Sequence, residues 1–404
     1  MLECHKSYQP NRQPKLASPN VKGDVEVTPD GRTHLCAELG ITAMNPLPRR
    51  DFIRTGALAG LGGFALLNRL PVVSAADAAL DAKFVQFRPE IEPLVRLLEE
   101  TSRSRLLEEV AARIKAGTTY RDVLTALLLA GVRNIQPRPV GFKFHAVLVV
   151  NSAHLASQNS PDADRWLPIF WALDYFKSSQ ARDESEGDWT MGSLDEGAIP
   201  PAERALEEFR SAMSRWDEAR ADVAAAGLVR SAGAQQVFDL FCRLGARDFR
   251  DIGHKAIYVA NSWRTLQTVG WQHAEPVIRS LAYALLEHKG GNPADRDAEA
   301  DRPGRANDER LHQIRPGWQA GQSSAVAANE LLATLRTGTW DEASRLAVEQ
   351  LNLGIAPGSI WDAVFQSAGE MLMRRPGIGS LHASTTANAL HFAFQRTGMD
   401  ETRR

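Results

Sequence analysis

Residues 142–155 read F-K-F-H-A-V-L-V-V-N-S-A-H-L, in which Asn151 follows His145 by six residues and His154 follows Asn151 by three. The β-branched run within this stretch would suit a buried strand. Its counterparts elsewhere in the chain read more easily as helix, so we predict a buried helix here. Residues three apart share a helix face, whereas residues nine apart lie on opposite sides. His145 and His154 therefore cannot reach one ion from a single straight helix.

The same motif occurs three times along the chain. His382 and Asn388 repeat the six-residue spacing, and His391 follows three residues later. In the middle copy, His254 and Asn261 are seven residues apart. The motif is therefore a repeated element with one shifted copy.

Each copy is preceded by an apolar helix that is predicted to end near a glycine, namely Gly131, Gly245 or Gly369. A fixed order of elements that recurs three times is typical of a helical array. Elsewhere apolar residues recur at spacings of three and four, as in residues 91–114, and strand-like alternation is nearly absent. We predict an all-α fold, a helical array of three related histidine-bearing helix-pair units with no significant β-sheet.

An export signal is predicted near the N-terminus. The pair Arg49 and Arg50 is followed by an uncharged apolar run over residues 55–67 and by small residues at 73–78. This order is typical of a twin-arginine signal peptide. The run is short for a membrane-spanning helix, and a core helix would not explain the arginine pair.

The signal divides the chain into three parts. Residues 1–43 are predicted to be an upstream extension, disordered or untranslated, because Met44 offers a conventional start. Residues 44–76 form the signal peptide, and residues 77–404 form the helical repeat domain. That domain is predicted to be truncated, because a helix start at Asp400 is followed by only four residues.

Composition excludes several classes of protein. The 404 residues are 44% hydrophobic and 24% charged, with a formal charge of −2 and interspersed signs, so no nucleic-acid partner is expected. Removal of the first 76 residues leaves Cys242 as the single cysteine, which excludes an intramolecular disulfide and a cysteine metal cluster. Motifs of common hydrolases, kinases and nicotinamide dehydrogenases are also absent from the sequence.

The first histidine of each copy is the candidate site residue: His145, His254 and His382. Each stands near a predicted helix start, where the helix dipole favours the neutral imidazole that binds metal or accepts a proton. If the three units close around a common axis, these rings converge as catalytic residues or as ligands of iron or zinc. The competing interpretation is that the repeated histidines only cap connections and support packing.

The remaining polar residues of the motif receive supporting roles. We expect Asn151, Asn261 and Asn388 to be hydrogen-bond partners of the histidines in a second shell. His154 and His391 are lower-ranked metal ligands.

The stretches H-A-V-L-V-V-N at His145, G-H-K-A-I-Y-V-A-N at His254 and H-A-S-T-T-A-N at His382 resemble the questin oxidase-like family. The resemblance covers roughly residues 85–404. Members of that family are all-helical proteins with repeated histidine-bearing helix pairs, and fungal members oxygenate polycyclic aromatic ketones. The resemblance implies an oxygenase.

Two functions are therefore expected from the sequence. One is an exported, histidine-centred oxidoreductase, metal-dependent or nearly free of cofactor, that acts on a small aromatic molecule. The other is a non-catalytic helical binding or scaffold protein whose histidines are structural. In both cases the twin-arginine translocase is a partner during export, and the protein is periplasmic, or membrane-tethered if the signal is retained. The oligomeric state is not predicted.

Replacement of both Arg49 and Arg50 by lysine is expected to retain the protein in the cytoplasm, because the translocase recognises the arginine pair. Fractionation followed by immunoblotting measures this. Arg54→Lys, which changes an arginine outside the pair, is the matched control and leaves export intact. Periplasmic accumulation of the double lysine variant would contradict the assignment.

Overall fold

The computed structural model describes residues 89–404. The predicted extension (1–43) and signal peptide (44–76) lie outside the described residues. In chain order the α-helices of the described part are α1 Glu92–Glu100, α2 Arg103–Lys115, α3 Tyr120–Asn134, α4 His145–Leu148, α5 Val150–Asn159, α6 Leu167–Glu186, α7 Ala202–Arg215, α8 Glu218–Ser231, α9 Ala234–Gly245, α10 His254–Val269, α11 Ala274–Leu285, α12 Arg302–Arg310, α13 Ala325–Thr337, α14 Trp340–Asn352, α15 Pro357–Arg374, α16 Ile378–Arg396 and α17 Asp400–Arg403.

The predicted all-α class is confirmed. Within residues 89–404 no strand or sheet is formed, and β-pairing is limited to an isolated bridge between Gln322 and Ile355. Helix α3 begins with a capping box in which Thr119 and Asp122 satisfy each other's backbone amides. The β-branched run around Val147 is buried helix, as predicted, although Val149 interrupts it between α4 and α5.

One large hydrophobic core spans most of the described chain, from Ile91 in front of α1 to Leu286 behind α11. Beyond it the buried clusters are smaller, such as the one formed by Ile314, Trp318 and Leu351. Burial of apolar surface is the dominant favourable term in folding. The first two of the three histidine-bearing segments therefore belong to a deep core, and the third packs against it.

Each histidine-bearing helix packs against the helix that precedes it: α4 and α5 against α3, α10 against α9, and α16 against α15. Helix α10 also contacts α4, α5 and α16, so the middle pair lies between the other two. This contact pattern is the reason that histidines separated by more than a hundred residues can meet.

Small residues bring α10 and α16 close together. Ala256 and Ala260 on α10 pack with Ala389 on α16 in a separate buried cluster. Alanine at a helix interface lets two backbones approach closely, because no long side chain separates them. The imidazoles near the starts of α10 and α16 are thereby brought within contact distance.

The three repeat glycines differ in their surroundings. A Cβ atom at Gly131 would lie 2.8 Å from Cγ2 of Val147, so α3 and α4 approach too closely for a side chain there. Gly369 has nothing within 4 Å of a Cβ, and α15 continues past it to Arg374. The predicted helix end at Gly369 is therefore wrong, and this glycine marks no close approach.

None of the helices within the described residues combines the length and apolar character that a bilayer crossing needs.

Alanine substitution at the two equivalent glycines is expected to change stability in opposite directions. Gly369→Ala gains helix propensity in an open interior position and raises the free energy of unfolding by up to about 1 kcal/mol. Gly131→Ala forces a methyl group against buried Val147, and overpacking of this kind costs about 1–3 kcal/mol. Urea denaturation of both variants measures the difference. Equal effects would contradict the close approach of α3 and α4.

Candidate metal centre

The fold places the three candidate histidines at the starts of three helices. α4 begins at His145 and α10 begins at His254. α16 begins at Ile378, one turn before His382. The three side chains therefore extend from equivalent ends of neighbouring helices, as the repeat predicts.

The three imidazoles lie in contact. Nε2 of His254 is 3.0 Å from Nε2 of His145 and 2.8 Å from Nε2 of His382. The ring centroids of His145 and His382 are 6.3 Å apart. One ligand nitrogen from each residue lies within 4.8 Å of the other two, so the three residues could hold one metal ion. His254 is buried and stands between two half-buried partners.

Each ring is oriented by a backbone carbonyl that lies three or four residues earlier in the chain. Nδ1 of His145 is 2.9 Å from the oxygen of Phe142, Nδ1 of His254 is 2.7 Å from that of Asp251, and Nδ1 of His382 is 2.6 Å from that of Ile378. A carbonyl oxygen can only accept, so each Nδ1 carries the proton and donates it. In the neutral ring the Nε2 atom then carries an unshared pair, and the pair on His254 faces those on His145 and His382.

The rings of His254 and His145 are held in the neutral form. Burial lowers the pKa of His254 to about 4; the carbonyl of Asp251 opposes this, and the neighbouring rings of His145 and His382 reinforce it. Burial also lowers the pKa of His145. Neutral imidazole is the form that coordinates a metal.

The asparagines of the motif do not have the predicted second-shell role. Nδ2 of Asn261 donates to the carbonyl of Leu148 at 2.9 Å, which ties α10 to α4. Oδ1 of Asn388 accepts from Arg264 at 3.1 Å, and Asn151 is buried on α5. The orienting contacts come from backbone carbonyls, which lie three or four residues before each histidine and need no particular side chain.

Arg264 is a residue that the sequence reasoning undervalued. Its guanidinium donates to Oδ1 of Asn261 and to Oδ1 of Asn388, both at 3.1 Å, and lies 4.1 Å from the ring centroid of Phe392. It therefore connects α10 to α16. Arg264 follows Asn261 by three residues, just as His154 and His391 follow the asparagines of their own copies. This replacement of histidine by arginine was the sequence signal for the bridge.

The lower-ranked ligands His154 and His391 lie outside the group. Nδ1 of His154 is 2.9 Å from the hydroxyl of Tyr120, and His391 packs its ring against Trp361 and Phe365. Among the described residues, the group that could share an ion contains neither. The prediction that they ligate the ion is wrong, because their position further along each helix faces them toward different neighbours.

Two glycines shape the centre, Gly141 four residues before His145 and Gly253 directly before His254. A Cβ atom at Gly141, where φ is +118°, would lie 2.8 Å from Cε1 of His254. At Gly253, where φ is +95°, a Cβ would lie 2.0 Å from Oγ1 of Thr386 on α16. Both positions need glycine, because the backbone is left-handed and the neighbour is close. The connections before α4 and α10 are thus fitted to rings and helices of other repeat units.

The cations beside the centre point into the protein. Nζ of Lys143 lies 2.7 Å from buried Asp183, and Nζ of Lys255 lies 3.0 Å from both carboxylate oxygens of buried Asp248. Asp251, which the sequence reasoning missed, adds a carboxyl group whose pKa burial raises to about 7, against the attraction of Lys255. A carboxyl group with such a pKa suits proton transfer at neutral pH.

The chain matches no protein-family model, no curated protein and no solved structure. The resemblance to the questin oxidase-like family therefore rests on the three quoted motifs alone.

Gly141→Ala is expected to displace the ring of His254. The variant adds a methyl group against the ring as well as left-handed strain of about 1–2 kcal/mol. Gly117→Ala is the matched control, because Gly117 has a similar φ of +108° and nothing within 4 Å of a Cβ. NMR of the His254 Nδ1 proton should report a weakened bond to Asp251 in Gly141→Ala alone. An unchanged resonance there would show that the contact with Gly141 does not hold the ring.

Proposed function

We propose that the protein is a metalloenzyme in which His145, His254 and His382 bind one first-row transition-metal ion through Nε2. The observation that supports this most directly is the orientation of the three rings. All three Nδ1 atoms donate to carbonyls, and three unshared pairs meet at separations of 2.8 and 3.0 Å for the two closer pairs. A shared cation turns this repulsive arrangement into a stabilising one.

A proton is a poorer occupant than a metal ion. Because Nδ1 already carries a proton in each ring, a second proton on Nε2 makes that ring an imidazolium. Burial disfavours this charge, and it holds the pKa of His254 at about 4. A divalent ion satisfies three acceptors at once, and carbonyl partners on Nδ1 increase the basicity of ligating imidazoles.

The ligand set suits iron or zinc. Imidazole suits zinc, copper, iron and nickel. Two nitrogens at about 2.1 Å from one ion lie about 3.0 Å apart at a right angle and about 3.4 Å apart at the tetrahedral angle. The nitrogen of His254 lies 2.8 and 3.0 Å from its two partners, whereas all three nitrogens lie within 4.8 Å of one another, so a shared ion would draw the outer rings of His145 and His382 together. With three protein ligands, the ion would have coordination positions left for a small molecule.

We infer that the reaction is an oxidation of a small molecule in which dioxygen takes up the electrons, since an iron ion with open coordination positions would support oxidation by dioxygen. The resemblance of the three motifs to the questin oxidase-like family agrees with this class. The twin-arginine route also agrees, because it exports proteins that have folded around a cofactor before translocation.

A second candidate function is a non-catalytic helical scaffold. It is favoured by one specific observation, namely that every Nδ1 bond lies within its own helix pair and that Arg264 ties α10 to α16 through Asn261 and Asn388. In that case the histidines pack the three helix pairs together and bind no ion.

The metal content of the purified full chain separates the two functions. We expect about one iron or zinc ion per chain by mass spectrometry. His145→Ala, His254→Ala and His382→Ala should each lower the affinity for the ion by more than about 100-fold, the upper end of what loss of an outer-shell partner costs. Iron supports oxidation, whereas zinc would favour polarisation of a carbonyl or water instead.

His154→Ala and His391→Ala are the matched controls, because both residues stand in the same repeats but outside the group of three. They are expected to retain the ion. The scaffold function would be established by two results together. Wild-type protein supplied with excess metal would bind no ion, and the variants of His145, His254 and His382 would only lower the melting temperature.

A further inference from the structure

Large apolar side chains lie exposed beside the three histidines. Phe142 is 61% exposed and Ile378 is 72% exposed, and the carbonyls of these two residues are the ones that accept from His145 and His382. Ile252, two residues before His254, is 45% exposed. Each ring of the centre is thus accompanied by an apolar residue at the surface.

Two of these residues sit on a strained backbone. Phe142 has φ of 47° and Ile252 has φ of 55°, the left-handed region that bulky and β-branched residues rarely adopt. The left-handed residue Trp216 is buried and lies under the guanidinium of Arg247, so packing compensates its strain. Phe142 and Ile252 face solvent and receive no comparable compensation. Strain retained without a packing gain is typical of functional sites.

In the segments that lead into α4 and α10, charged side chains are buried and apolar side chains are exposed, which is the reverse of an ordinary protein surface. Lys143 and Lys255 follow Phe142 and Ile252 closely in sequence, yet both are buried and paired with carboxylates. The apolar residues, in contrast, are directed to water. A single exposed apolar side chain is ordinary, but three of them in the segments that carry the three histidines make a candidate binding surface.

We infer that Phe142, Ile252 and Ile378 form an apolar collar around the open side of the metal centre and make it selective for an uncharged, apolar small molecule. Such a ligand places one nitrogen or oxygen donor on the ion and its apolar body against the collar. This inference rests on the proposed function, because the ion supplies the polar end of the site.

The test compares two probes that differ only in apolar area, imidazole and 4-phenylimidazole, by calorimetric titration of the metal-loaded full chain. Both offer the same donor atom to the ion. Burial of the phenyl group against the collar is expected to make 4-phenylimidazole bind about tenfold more tightly or better. The double variant Phe142→Asn with Ile252→Asn should lose this preference, and the ratio of the two affinities is compared at equal metal loading because the carbonyl of residue 142 also orients His145.

Asparagine is chosen because it tolerates the left-handed conformation, so the double variant is also expected to melt at a higher temperature than the wild type. Leu353→Asn is the matched control. Leu353 is 77% exposed, has φ of −74° and follows α14, which carries none of the three histidines. Leu353→Asn should not alter the preference for 4-phenylimidazole over imidazole. It should not raise the melting temperature either, because it relieves no backbone strain.

The outcomes are distinguishable. A metal-loaded protein that binds both probes equally overturns the collar and leaves the metal centre standing. A protein that binds no metal overturns both. If the double variant loses binding to phosphatidylcholine vesicles instead of the phenyl preference, the apolar residues contact a lipid surface and the collar is likewise overturned.

Discussion

Three imidazoles donate their Nδ1 protons to backbone carbonyls and thereby direct three unshared electron pairs toward one another. The other features of the centre depend on this constraint. The carbonyls of Phe142, Asp251 and Ile378 fix the tautomer, and the close packing of α10 against α16 and α4 fixes the separation. Burial opposes protonation of His254, so a proton cannot readily relieve the repulsion. The metal ion that we propose would satisfy all of these conditions.

The histidines and the asparagines of the repeated motif make different kinds of contact. The first histidine of each copy meets its counterparts, whereas Asn261 and Asn388 join the helices, with Arg264 as the bridge between them. The structure thus gives the packing interpretation to Asn261 and Asn388, and the site interpretation stays a proposal for the three histidines. This division explains why one motif contains polar groups with such different surroundings.

The connections in front of the histidines combine features that oppose stability. Left-handed Phe142 and Ile252 are exposed, while Lys143 and Lys255 are buried and depend on carboxylate partners. Local rules of sequence and structure are typically broken at functional sites, where the stability of the remaining fold compensates. The large core between Ile91 and Leu286 provides that compensation here.

The sequence by itself determined the helical class and the equivalence of His145, His254 and His382, because periodicity and spacing are local properties of the chain. It did not determine what each polar residue contacts. The asparagines were assigned to the histidines, and His154 and His391 to the ion, whereas the structure gives Asn261, Asn388, His154 and His391 other partners. The sequence also predicted equivalent roles for Gly131 and Gly369, but only Gly131 lies against another helix. Contacts between units separated by more than a hundred residues depend on how the helix pairs pack, and only the tertiary structure decides that.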